Sequence, residues 1–443
     1  MKRSLTVLFL STLVILSFGI PARAQASREI PNVFFDTVRT GEVQPIQLAV
    51  EDMKYIGTNY ITAADSTIMN NITQIVRGDV DFYADFQLVT ADSFYLKMYE
   101  IKEIDLLAWE RLGAQHVIRL EAEFPGSNVR VRWRIINTVG GEEFSKGVEE
   151  GPTGSWRELA HDVSNDLAKA LTGDRGIFRT QICYIRKIAA GTKEIFVSDY
   201  DGANERQVTK TGSINLSPCW TPDGKEIYFT SFKNGDPQLY RVEVANGKVT
   251  KVGNYLGLMA APAVSPDGSK VAVVMTLTGN SEIYILDNSG RVITRLTNST
   301  SIDTSPTWSP DGRKVAFASD RTGAPQIYIC DADGLNTHRV TFQGDYNDSP
   351  IWSARGDRIT FVSRTETGRF DLASIDTSGA KYRVMTKIGM NENPHFSPDG
   401  KHLIFASDRL GPGDIYTATV TGGKQRRLTH SGDCSNPAWG PLK

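Results

Sequence analysis

The C-terminal two-thirds of the chain alternates between apolar and polar positions in short runs separated by turn residues. Lys314-Val315-Ala316-Phe317-Ala318-Ser319 is one such run, and Ile283-Tyr284-Ile285, Ile327-Tyr328-Ile329 and Ile415-Tyr416 mark another class. Alternation over four to eight residues, bounded by Gly, Pro, Asp and Asn, predicts short strands. The runs recur in a fixed order. Ser217-Pro218-Cys219-Trp220-Thr221-Pro222-Asp223-Gly224 returns as Ala261-Pro262-Ala263-Val264-Ser265-Pro266-Asp267-Gly268 and as Ser305-Pro306-Thr307-Trp308-Ser309-Pro310-Asp311-Gly312. Ser349-Pro350-Ile351-Trp352-Ser353-Ala354-Arg355-Gly356 is a degenerate copy whose turn is expected to differ in shape, and Asn393-Pro394-His395-Phe396-Ser397-Pro398-Asp399-Gly400 is the fifth. Pro218, Pro262, Pro306, Pro350 and Pro394 each stand 44 residues after the last.

Each unit reads as four antiparallel strands. Pro-Asp-Gly makes the first turn, because proline presets φ, aspartate accepts local hydrogen bonds and glycine takes the left-handed position. The fourth strand ends in Leu296-Thr297, Val340-Thr341 or Leu428-Thr429. Four short strands at this period predict a propeller blade. Ile182 to Thr209 supplies strands two to four of a blade without a first, and Asn436-Pro437-Ala438-Trp439 supplies a first strand without the rest. Together they complete a sixth blade, so the C-terminal strand is expected to close the ring and remove its open edges. Trp220, Trp308, Trp352 and Trp439 share one register and read as packing between blades.

Residues before this array lack the repeat. Pro45–Val50, Gln115–Glu123, Val129–Ile136 and Glu143–Glu149 read as strands; Ala63–Val76 and Trp156–Leu171 have helical spacing, and Leu106–Leu112 suits a short helix. Ser155, with Glu158 three residues on, is a candidate N-cap, and Gly173 a candidate C-cap. The fold class is therefore two domains: a small N-terminal α/β domain with an extended leading segment (residues 25–174), then a six-bladed β-propeller (175–443) closed by its C-terminal strand. Ahead of both, Lys2 and Arg3, the apolar run from Leu5 to Ile20 and Ala22-Arg23-Ala24 read as a secretory signal peptide over residues 1–24. An uncleaved anchor is the competing reading. The run is short for a membrane span, and no other stretch approaches that length.

Export changes the view of the cysteines. Cys183, Cys219, Cys330 and Cys434 are even in number, so disulfides are allowed. Their scatter over different blades favours small buried hydrophobes. The formal net charge of -2 argues against a nucleic-acid partner.

Catalytic signatures are missing: no G-x-S-x-G, H-E-x-x-H, P-loop or G-x-G-x-x-G occurs. The six histidines fall at unlike positions, so no metal and no cofactor are expected. The Asp-Gly pairs are explained by turns before calcium. Axial residues should precede each leading Ser/Asn-Pro: Asn215-Leu216, Met259-Ala260, Asp303-Thr304, Asn347-Asp348, Glu392 and Ser435. Asp303, Asp348 and Glu392 would make this face acidic, with no cation or nucleophile beside them. That describes a recognition surface, and no enzyme is expected.

The S-P-x-W-S-P-D-G-K repeats resemble the propellers of the TolB family and also those joined to prolyl-oligopeptidase-type hydrolases. The sequence ends at Pro-Ala-Trp-Gly-Pro, where a hydrolase domain would follow. Leu171-Thr172-Gly173-Asp174-Arg175-Gly176-Ile177-Phe178-Arg179-Thr180 is similar to the TolB interdomain passage, Val197-Ser198-Asp199-Tyr200-Asp201-Gly202 to its first blade, and Trp109–Gly113 with Val117–Leu120 to its N-terminal domain. The likeness is weakest from Gln25 to Val50. The resemblance implies a periplasmic, non-enzymatic adaptor of the Tol-Pal system, supporting outer-membrane invagination during cell division and envelope integrity. It implies binding of the lipoprotein Pal on the propeller loop face, placed here at Met259, Asp303, Thr304, Asn347, Asp348, Glu392 and Asn393. It implies binding of TolA by the mature N-terminal segment, about Ser27 to Thr40, placed here at Val33, Phe34, Phe35 and Asp36. Val33, Phe34 and Phe35 also read as a strand of the N-terminal domain. Other envelope lipoproteins are admitted as partners, and a monomer is expected. The rival reading is an exported propeller enzyme or solute-binding protein acting on envelope glycan.

Overall fold

The computed structural model describes residues 44–91, 105–365 and 368–442. Residues 1–24, expected to be a signal peptide, and Val33, Phe34, Phe35 and Asp36 lie outside them.

The N-terminal part is a mixed sheet backed by helices. Its elements are β1 (Ile46–Val50), β2 (Lys54–Tyr55), α1 (Ala63–Phe82), β3 (Phe86–Leu88), α2 (Leu106–Arg111), β4 (His116–Glu123), β5 (Asn128–Asn137), β6 (Glu143–Pro152) and α3 (Trp156–Thr172). The strand order is β3-β1-β4-β5-β6, with β2 on β4; β1 runs parallel to β3 and β4, and β4, β5 and β6 are antiparallel. Val129, Val131, Trp133 and Ile135 face the core. The opposite face of β4–β6 carries cross-strand ion pairs, Arg130 with Glu123 and Glu150 and Arg134 with Glu121, each a modest contribution where exposed.

Helix α1 begins with a capping box between Thr62 and Asp65. It runs beyond the Val76 expected from spacing to Phe82, because Val80 and Phe82 continue the buried stripe. Gly78 and Asp79 hide that continuation in the sequence. At α3, Gly173 caps the C-terminus at φ 78° and donates to Lys169 O. The expected Ser155 cap bond is not made: a 3-10 turn over Thr153–Ser155 leads into the helix, and Ser155 at φ −109°, ψ 28° is not extended enough to turn its hydroxyl onto the first turn.

The rest is the six-bladed propeller, six four-stranded antiparallel sheets. A complete blade is Asp303–Trp308, Lys314–Ser319, Gln326–Asp331 and His338–Arg339. The composite blade takes Cys434–Trp439 as its first strand beside Gln181–Ala189, Thr192–Asp199 and Arg206–Gln207. Ala438 pairs with Cys183 and Trp439 with Ile182. Trp439 Nε1 donates to Thr180 Oγ1 at 2.9 Å and Gly440 N to Gln181 O at 2.7 Å, locking the closure.

The repeated turn works as its residues require. Gly312 sits at φ 70°, its N–H reaches Ser309 O at 2.9 Å, and Asp311 Oδ1 accepts from Ser309 Oγ and Arg313 N. The degenerate Ser353-Ala354-Arg355-Gly356 turn keeps the same shape, with Gly356 at φ 74° and its N–H 2.9 Å from Ser353 O. What changes is the side chain. Arg355 extends to Asp399 O and to Asp174. Trp220 and Trp308 donate their indole N–H groups to Ala438 O and Ala263 O of the neighbouring blade, the packing role their register suggests. Trp352 instead donates to Gly356 O of its own turn. All four cysteines are free thiols, and Cys183, Cys330 and Cys434 are buried.

Candidate protein-docking face

The α/β domain covers one end of the ring. The propeller groups that grip it come from the turns between strands one and two or strands three and four and from the strand ends beside those turns. Lys401 pairs with Asp85 and, at 2.8 Å, with Asp174. Lys424 donates to Tyr83 O at 2.7 Å and to Phe86 O, and Arg426 to Gly78 O and Asp81. These cations gather at the C-terminal end of α1, where the helix leaves carbonyls and partial negative charge. Behind them, Asp79 accepts from the Tyr200 hydroxyl and lies 2.9 Å from His161 Nδ1, all three buried. Burial opposes charging His161, yet the Asp79 carboxylate outweighs it and its pKa is raised.

The other end is formed by loops that join each fourth strand to the next first strand and each second strand to its third. First strands of successive blades touch one another around the ring and so line the axis. Along each of them side chains alternate. Met259, Asp303 and Asn347 are fully buried, which corrects their placement on the docking surface. Met259 packs among Tyr228, Leu239 and Val273. Asp303 is gripped by Arg321 at 2.9 and 3.0 Å, and Asn347 donates to Gln326 Oε1 at 2.8 Å and Gln343 O at 2.9 Å. They brace the loops from within. Thr304, Asp348 and Glu392 occupy the alternate, half-buried positions, and Asn393, also half-buried, follows at the bulge.

Asp348 accepts from Ser305 Oγ of the adjacent blade at 3.1 Å and from the Tyr346 hydroxyl at 3.2 Å. Burial and the Asp348 charge push the Tyr346 phenol up. Burial, then Asp408, raise the Glu392 carboxyl above its ordinary range. Asn393 holds φ 52° just before Pro394, and Ser217, Ala261, Ser305, Ser349 and Asn436 repeat this left-handed position. Each marks a bulge where pairing between first and second strands shifts register.

The sequence reading missed a recurrent buried clasp. An acid or amide opening the third strand accepts from the threonine that ends the fourth: Glu194 from Thr209, Glu282 from Thr297, Gln326 from Thr341, Asp371 from Thr386, Asp414 from Thr429. The same hydroxyl accepts a third-strand N–H, as from Ile327 at 2.9 Å. Asn215, Asn347 and Asn391 join it from the next blade. The repeating Leu-Thr and Val-Thr endings were its visible signal. In the blade from Asn215 to Lys251, Gly253 and Met259 replace the threonine and asparagine, and Gln238 Oε1 has no partner.

Among the described residues, no group of three or more His, Cys, Asp or Glu could hold a metal ion. Among them too, no helix is long and apolar enough to cross a membrane.

A family model described as the TolB beta propeller domain matches residues 168–443, and one described as the TolB amino-terminal domain matches residues 37–144. A Tol-Pal system protein TolB from Nitrosomonas europaea is 46% identical over 394 residues, covering 87% of this chain and 92% of that relative. One from Roseobacter denitrificans is 29% identical over 244 residues. That match takes in 54% of this chain and spans about half, 53%, of the relative. The crystal structure of TolB from Acinetobacter baumannii superposes with a TM-score of 0.76 at 27% identity, covering 90% of this chain and 97% of that one. With both regions matched in order, and a relative alike over nearly its full length, this chain belongs to the TolB family of Tol-Pal system proteins.

Proposed function

We propose that the protein is a non-enzymatic periplasmic adaptor that binds the lipoprotein Pal on the propeller face opposite the α/β domain. On this reading Thr304, Asp348, Glu392 and Asn393 contact Pal, while Val33, Phe34, Phe35 and Asp36 in the segment from Ser27 to Thr40 engage TolA. The division into residues 25–174 and 175–443 assigns one partner to each part, and the two contacts together support outer-membrane invagination and envelope integrity.

The observation that carries this reading is the one-sided use of the ring. One end is taken by the α/β domain, and the other presents loops braced from inside by Asp303, Asn347 and the threonine clasps. A surface already ordered loses little entropy when a folded partner arrives. The test is titration calorimetry of the mature chain with purified Pal. Charge reversal at Asp348 and Glu392 together is expected to weaken binding at least tenfold, about 1.4 kcal/mol; unchanged affinity removes this face from the reading. Deleting residues 27–40 is expected to abolish TolA binding and leave Pal binding measurable. Retained TolA affinity would move that contact elsewhere.

A further inference from the structure

On the face just described, large apolar side chains stand in water. Leu256 is 91% exposed and Phe342 66%, with Ile302 and Leu277 also exposed. Leu256, Ile302 and Phe342 lie on three consecutive loops that lead into first strands, 252–258, 298–302 and 342–346, and Leu277 sits in the second-to-third-strand loop beside Leu256. Resting on the Pal reading above, we infer that these four side chains form an apolar crescent that seats the same partner, a folded protein domain presenting a lysine or arginine bordered by aliphatic side chains.

The loops hold these groups outward. Leu258 N donates to Thr276 Oγ1 at 3.0 Å, tying the Leu256 loop to the Leu277 loop. The Tyr255 hydroxyl accepts from Val292 N at 3.0 Å, fixing the near side of the same loop. Ile302 N donates to Asp320 Oδ1 at 2.8 Å. The Arg339 guanidinium lies 5.0 Å from the centre of the Phe342 ring and covers one of its faces. Leucine, isoleucine and phenylalanine held in water on three consecutive loops mark a surface that meets a partner.

Charge selects the occupant. The Phe342 loop leads into the first strand that carries Asp348, so the crescent ends beside that acid, and Glu392 holds the same position one blade further round the ring. Glu392 has neither a hydrogen bond nor an ion pair among the described residues, and Asp348 is met by hydroxyls and a backbone N–H, not by a cation. Two half-buried carboxylates without a counter-charge, on adjacent blades at the end of the crescent, favour a cationic side chain there. The apolar side chains on the neighbouring loops then bury aliphatic surface beside that charge contact, so that a few well-packed residues carry most of the affinity.

The experiment is calorimetry of the full mature chain with Pal from the source organism. It compares wild type, Leu256→Ser, Phe342→Ser, the double variant and Ile293→Ser, which removes an exposed apolar group on an outer strand. Each single variant is expected to lose about tenfold in affinity and the double about a hundredfold, while Ile293→Ser stays within twofold. Because Leu256 and Phe342 face solvent, folding is expected to be unchanged, checked by circular dichroism. Wild type binding Pal with the double variant unchanged overturns the crescent alone. Wild type failing to bind Pal overturns the underlying reading. A wild-type dimer in sedimentation equilibrium that the double variant dissolves assigns the crescent to a second copy and overturns the inference.

Discussion

Thr297 and Thr341 occupy equivalent places in neighbouring blades but serve different acceptors, and replacing each by valine separates the two contributions. Valine keeps the β-branched shape and removes only the hydroxyl. In Thr341→Val, the buried Ile327 N–H loses its acceptor at 2.9 Å. Gln326 Oε1 keeps the Asn347 amide at 2.8 Å. One orphaned backbone donor costs about 1–3 kcal/mol. In Thr297→Val, the Ile283 N–H is orphaned likewise. In addition the Glu282 carboxylate, fully buried, loses the 2.6 Å bond to its Oε2, while its Oε1 keeps Arg295 and Ser299 N. A hydrogen bond to a charged group adds about 1.5–3 kcal/mol, so the total reaches about 2.5–6 kcal/mol. Urea titrations followed by tryptophan fluorescence measure both. The ordering, with Thr297→Val the more costly by about 2 kcal/mol, is the result expected. Equal losses at the two sites, or losses below about 0.5 kcal/mol at both, would refute the clasp as a source of ring stability.

Two further outcomes are expected. His161 has a folded pKa raised above its unfolded value, so its contribution is complete below the unfolded pKa, about 6.5, and fades as pH rises through the folded value. The stability of wild type relative to His161→Gln, from urea midpoints between pH 5.5 and 9, should therefore shrink with rising pH; a gap that widens would contradict the Asp79 assignment. Trp439→Ala removes a buried indole and its bond to Thr180 Oγ1, at a cost of about 3–5 kcal/mol. It should also loosen the closing strand enough to produce aggregates in size-exclusion chromatography, and a monodisperse variant with an unchanged melt would show that closure rests elsewhere.

Much of the propeller was legible because its information is local and repeated. A turn made by Pro-Asp-Gly declares itself in three residues, and the constant interval between Pro218, Pro262, Pro306, Pro350 and Pro394 fixes the size of a blade. The unmatched ends, Ile182–Thr209 and Asn436–Trp439, even announce the composite blade, since an incomplete sheet must find its missing strand. The site was less legible. Asp303 and Asp348 look alike as acidic residues at the start of first strands. One residue of register puts Asp303 inside the blade against Arg321 and Asp348 on the axial side beside Tyr346. Side-chain direction in a strand inverts with each residue, so only the bulge and pairing of the folded blade decide which acid a partner can meet.

The same division holds for the N-terminal domain. Its strands and helices follow from periodicity, but Gly78 and Asp79 seemed to end α1. They continue it because Asp79 finds Tyr200, 121 residues away along the chain, and His161 from another helix. By itself, then, the sequence determined six blades, their turns and their closure, all set by contacts between near neighbours or by an exact repeat. Tertiary structure decided which end of the ring is covered, which acids are neutralised inside and which apolar side chains remain in water. Those outcomes depend on groups distant in the chain meeting in space, where burial and pairing, not residue type, set what each can do.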